Sequence, residues 1–181
     1  MTAIFITLTL LLDLLISSYI FSDFAMTSFV FVPSTTLLFL LFMLLKQSHQ
    51  KVFVWVLISG FVVDLMYHSM LFTHVLVFMI VLFILKEYQR HFSDTMIEIV
   101  MMGIITIFLK EIILFSWYSI LNVTDVQFLS WYASRLFITM MGNIPIIFIA
   151  YHLSVRYNQL LKRQQVKMQK SESTLWGFLR E

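Results

Sequence analysis

Histidine, aspartate, glutamate and lysine are the residues that could support acid–base or metal chemistry in this chain, because it contains no cysteine. The absence of cysteine removes disulfides, thiolate ligands and a Cys nucleophile together. The histidines His49, His68, His74, His91 and His152 form no HExxH motif and no i, i+4 pair, so no helix-borne metal site is encoded. There is no glycine-rich phosphate loop and no GxSxG elbow. The sequence therefore reads as a non-enzyme, with no catalytic residue, metal ligand or cofactor site. What stands out instead is a set of charged residues inside apolar stretches: Asp13, Asp64, Lys110, Glu111 and Arg135, with Glu98 nearer an edge.

The elements that must position those charges follow from composition. Of 181 residues, 60% are hydrophobic and 12% charged, and the mean hydropathy is +0.91. A soluble domain is nearer half apolar and about a quarter charged. These values describe an all-α integral membrane protein. A helix crosses about 30 Å of hydrocarbon in roughly 20 residues. Apolar runs at 3–21, 24–45, 52–67, 69–85, 96–121 and 128–155 predict a bundle of six transmembrane helices. Tyr67-His68-Ser69 is a tight turn between the third and fourth, and Pro33 makes the second kinked or late to start. Lys46, Lys51, Lys86, Arg90 and the cations of the 156–181 tail all fall on one side. The alternate loops offer only Asp23, His68 and Asp125. That asymmetry places both termini in the cytoplasm. The net charge of +2 gives no reason to expect nucleic acid.

A charge in the bilayer normally faces protein and finds a partner, since leaving it unpaired costs about 2.5–3.5 kcal/mol on the insertion scale. Helical spacing groups the polar and small residues into seams: Thr9, Asp13 and Ser17; Gly60 and Asp64; Gly103, Thr106 and Lys110; Arg135, Thr139, Gly142 and Asn143. Such seams let helices approach and hydrogen-bond across a bundle. Counting residues from the helix ends pairs Asp64 with Arg135 and Asp13 with Lys110 by depth. Glu111, adjacent to Lys110 and so not facing it, is left to be protonated or held by another polar group. Trp117, Tyr118, Trp131 and Tyr132 read as an outer aromatic belt. The tail, with Arg156, Lys162, Arg163, Lys167 and Lys170, continues the last helix into the cytoplasm and suits anionic lipid or an acidic partner. The closing TLWGFLRE could lie in the membrane interface.

The segment GFVVDLMYHSMLFTHVLVF, with Gly60, Phe61 and Asp64 ahead of the turn, resembles the third-to-fourth-helix signature of the bacterial rod shape-determining protein MreD family. VPS around Pro33, Glu111, Arg135-Leu136 and Asn143 fit the same family. The chain departs from it at Leu71-Phe72-Thr73, where the family usually carries a glycine. The resemblance implies a non-enzymatic scaffold of the cell-elongation peptidoglycan machinery in the bacterial cell membrane, binding a bitopic MreC-like protein. It further implies links to the RodA glycosyltransferase, a class B penicillin-binding protein and MreB. The fold it implies resembles the substrate-binding subunits of energy-coupling-factor transporters, which makes a vitamin-binding subunit the alternative function. A proton-coupled transporter working through Asp13 or Glu111 is a third class.

Overall fold

A helix that is apolar around its whole circumference is stable only where every side is covered. Thr35–Lys46 is such a helix, and in the computed structural model of the chain every residue from Thr35 to Leu45 is buried. The structure describes residues 2–20, 31–47, 49–66, 72–87, 95–122 and 127–178. The loop residues Asp23, His68, Arg90, His91 and Asp125, and Arg180 in the tail, lie outside the described residues, as do the side chains of His49, Lys170 and the closing TLWGFLRE. Among the described residues there is no strand.

We number the helices α1 (Thr2–Ile20), α2 (Thr35–Lys46), α3 (His49–Met66), α4 (Thr73–Lys86) and α5 (Met96–Ile120). The last apolar run is broken into α6 (Phe128–Trp131), a π-helical turn (Tyr132–Leu136), α7 (Phe137–Gly142) and α8 (Ile144–Phe178). Neighbours in sequence pack antiparallel. Phe5 stacks on Phe39, and the Thr2 and Tyr157 hydroxyls meet at 2.8 Å, which ties α1 to both α2 and α8. The helices around α2 turn large apolar side chains outward, including Ile4, Leu15, Val54, Phe83 and Ile97. Polar side chains point in: Asp13, Asp64, Lys110, Glu111 and Asn143 are all buried. The interior thus combines a large apolar core around α2 with several buried polar groups, while many apolar side chains also face outward.

The predicted helices appear in each of the six apolar runs, with two changes. The second helix does start late: residues 31–34 are non-helical, and Thr35 opens α2. The last run is broken at Asn143, where its two halves bend by 41°. Pro145 stands just after the break and cannot donate to the residue four before it. One helix, Met96–Ile120, is long and apolar enough by itself to cross a membrane, and the bent pair makes a second if it is counted as one span. As expected, α8 runs on without interruption through the basic stretch. The aromatic belt is corrected in part. Trp117 and Tyr132 are exposed, but Trp131 is buried and stacks on Phe115 at 4.5 Å.

Backbone contact closes the α3–α4 hairpin. A Cβ on Gly60 would stand 2.7 Å from Cα of Val75, closer than any side chain tolerates. Phe72, before α4, holds a left-handed φ of 71° and its ring meets that of Phe61. A bulky residue there is strained by about 1–2 kcal/mol. We expect Gly60→Ala to destabilise the protein by about 1–3 kcal/mol, because α4 backbone rather than a flexible side chain must move. Thermal unfolding in detergent checks this. A Gly60→Ala protein as stable as wild type would mean that the helices can separate there without cost.

Candidate functional site

The site grows from the non-helical segment 31–34, which enters the bundle with Phe31, Pro33 and Ser34 buried. Buried backbone donors and acceptors need partners, and two residues of the last helical run supply them. Asn143 Oδ1 accepts from the Ser34 N–H at 3.0 Å, while its Nδ2 donates to the Val32 carbonyl at 2.9 Å. The amide thereby imitates the edge of a strand. Thr139 Oγ1 lies 3.4 Å from the Val32 nitrogen. Pro33 has no N–H to satisfy. Phe31 lies over Gly142, where a Cβ would come within 2.4 Å of its ring. Gly142, Thr139 and Asn143 therefore form one seat for this segment, as their shared helical face predicts.

Asp13 on α1 then takes over the capping of α2. Its Oδ1 accepts from the Thr35 N–H at 2.7 Å and its Oδ2 from the Thr36 N–H at 2.9 Å. These are first-turn donors that no helix can satisfy internally. The partial positive charge of the helix N-terminus favours a carboxylate there. Ser34, the residue in the capping position, makes no side-chain cap. Its hydroxyl instead accepts from Lys110 Nζ at 2.8 Å.

Asp64 does the same for α4. The His74 N–H donates to Asp64 Oδ1 at 2.9 Å, and His74 Nδ1 lies 2.8 Å from the same oxygen. The Asp64–Arg135 pair expected from depth is therefore replaced by Asp64–His74, and the Asp13–Lys110 pair by Asp13 on the α2 backbone. Depth along two helices does not register that a helix N-terminus is itself a cationic partner.

With both aspartates engaged elsewhere, the two cations converge on Glu111. Lys110 Nζ lies 2.9 Å from Oε1, and Arg135 Nε donates to Oε2 at 2.9 Å. Glu111 is completely buried, whereas the Arg135 side chain keeps 26% of its surface exposed. The expectation that Glu111 would not face Lys110 is thus overturned. Neighbouring side chains leave a helix about 100° apart, but two long chains bend far enough for their tips to meet. The π-helical turn Tyr132–Leu136 carries Arg135. Its extra residue per turn rotates the following face of the chain, as π-turns do at special sites.

Asp13, Ser34, His74 and Lys110 border a cavity of about 20 Å³, with Val32, Pro33, Leu37, Val63 and Phe78 completing its wall. That is room for about one water molecule. Among the described residues no three His, Asp or Glu side chains are grouped to hold a metal ion. Of the residues singled out from sequence, Asp13, Lys110, Glu111, Arg135 and Asn143 belong to one connected site. Gly60 and Asp64 belong to the adjoining α3–α4 hairpin. Arg156, Lys162, Arg163 and Lys167 lie exposed along α8, away from it. Ser34, Thr139 and His74 are members that the charge count passed over. Pro33-Ser34-Thr35-Thr36 is a helix-start signal that could have pointed to Ser34, and His74 occupies the first turn of the helix facing Asp64.

No family model, curated protein or solved structure matches the chain.

Proposed function

We propose that the protein is a non-enzymatic, six-span membrane scaffold of the kind the MreD resemblance implies, with both termini cytoplasmic. In that role it binds an MreC-like bitopic protein within the cell-elongation wall-synthesis machinery. The observation that carries this reading is the way the interior is filled. Its charges and broken helix ends are satisfied by other parts of the chain, while apolar side chains cover the outside. An outside of this composition is suited to lipid and to the helices of partner proteins.

Two broken helices are also what a transporter uses to hold its substrate, with half-helix ends directed at the ligand. Here the α2 N-terminus is occupied by Asp13, and the Gly142–Asn143 break is occupied by residues 31–34. The polar cavity of about 20 Å³ is far below the roughly 300–1,000 Å³ of small-molecule sites. This favours the scaffold over a vitamin-binding subunit. The exposed cations Arg156, Arg163 and Lys167 recur at near-helical spacing along one face of α8, which suits an acidic partner surface or anionic headgroups.

Purification from native membranes in mild detergent tests the reading. Recovery of a single-span MreC-like protein is expected, while a bound vitamin or an ATPase module would replace the scaffold with the transporter subunit. Topology is checked on the same cysteine-free chain. Ser69→Cys should react with an impermeant thiol reagent on intact cells and Gln169→Cys only after lysis. The reverse pattern overturns the assigned orientation.

A further inference from the structure

On the outer surface of the α3–α4 pair, Phe53, Met79, Ile80 and Phe83 border a groove of about 430 Å³. Its origin lies in the hairpin. Gly60 brings α3 and α4 into backbone contact, and the groove opens about 10 Å further along α3, counting seven residues back to Phe53 at 1.5 Å each. Ile80 and Phe83 are exposed along it. Every bordering side chain is apolar, so nothing in the groove can orient a hydrogen-bonding ligand.

The groove's end has a different character. Met79, Phe83 and Lys86 follow one another at i, i+4 and i+7 on α4, which places Lys86 on the groove's own face of the helix, about one turn beyond Phe83. Gln50 precedes Phe53 by three residues on α3 and is exposed at the same end. Among the described residues Lys86 makes no hydrogen bond or ion pair. An apolar trough followed, on the same helix faces, by a cation and an amide matches an acyl chain joined to an anionic headgroup. A partner helix fits less well, because close helix packing in a bilayer relies on small residues, and this border is two phenylalanines, a methionine and an isoleucine.

We propose that the α3–α4 groove is a binding site for an anionic phospholipid of the cytoplasmic leaflet, with one acyl chain along Phe53, Met79, Ile80 and Phe83 and the phosphate at Lys86. This rests on the membrane reading and on its orientation. The lipid would fill the wedge that the Gly60 contact leaves between the two helices.

Native mass spectrometry of the detergent-purified full chain tests it, with phosphatidylglycerol and phosphatidylethanolamine of identical acyl chains as probes. Wild type should bind phosphatidylglycerol more tightly. Lys86→Gln should weaken that binding about fivefold, the loss expected for one basic residue at an anionic surface, and leave phosphatidylethanolamine unchanged. Lys86→Arg should restore the preference. Met79→Trp, which fills the groove, should weaken both lipids. Equal binding of the two lipids by wild type overturns the proposal, as does a preference that neither Lys86→Gln nor Met79→Trp alters. So does a single-span protein that co-purifies with wild type and is displaced by Met79→Trp. Carbonate extraction of membranes separates the two layers of the argument. A chain released by carbonate fails the membrane reading itself, whereas a retained chain without lipid preference fails only the lipid site.

Discussion

Glu111→Ala should destabilise the bundle by about 3–5 kcal/mol, the cost of removing one partner from a buried ion pair. The substitution strands Lys110, which is itself buried, and takes from Arg135 the carboxylate it now donates to. Among the described residues Lys110 then keeps only the Ser34 hydroxyl. The same principle predicts a second result. Removing all three charges together with apolar groups of similar volume, as Lys110→Met, Glu111→Leu and Arg135→Met, should recover much of the loss, because no charge is then left without a partner. The fraction of monodisperse protein after heating in detergent reads both outcomes. If Glu111→Ala alone is as stable as wild type, the cluster does not hold α5 to the last run of helices.

Asp13→Ala should be nearly as damaging for a different reason. It leaves the Thr35 and Thr36 N–H groups buried without acceptors, at about 1–3 kcal/mol each. Asp13→Asn retains one carbonyl oxygen but turns an NH₂ towards the second donor, so it should fall between Ala and wild type. Amide hydrogen exchange locates the effect: the first turn of α2 should lose protection in Asp13→Ala while α3 and α4 keep theirs. Uniform loss of protection across the molecule would mean that Asp13 supports the whole bundle rather than this helix end. Unchanged protection at Thr35 and Thr36 would mean that it is no cap.

The arrangement of helices was legible because each apolar run is long and bounded by polar residues, and even the delayed start of α2 was signalled by Pro33. The charged members of the polar site were legible too, since a charge among apolar neighbours stands out. Their partners were not. Asp13 and Asp64 bind backbone N–H groups, which every residue possesses and which become special only once a helix begins beside them. Glu111 was set aside because Lys110 is its sequence neighbour, a rule about Cβ directions that long side chains escape. The break at Asn143 had a signal, Gly142 followed by Pro145, but the π-helical turn that carries Arg135 has none that composition or spacing reveals.

The placement of the three acids bears on the order in which the helices can come together. Asp13 is satisfied by the helix that follows it, Asp64 by the helix that follows it, and Glu111 by Arg135 in the run that follows it. Each acid therefore finds a partner within one consecutive pair of helical runs, and that contact can form without waiting for the rest of the chain. The bonds that join the first hairpin to the third form a separate group: Lys110 to Ser34, Asn143 to Val32 and Ser34, and Thr139 near Val32. All of them meet on Val32 and Ser34, on either side of Pro33. Pairing of neighbouring helices and joining of distant ones thereby fall to different residues, the acids serving the first and this short extended strip the second.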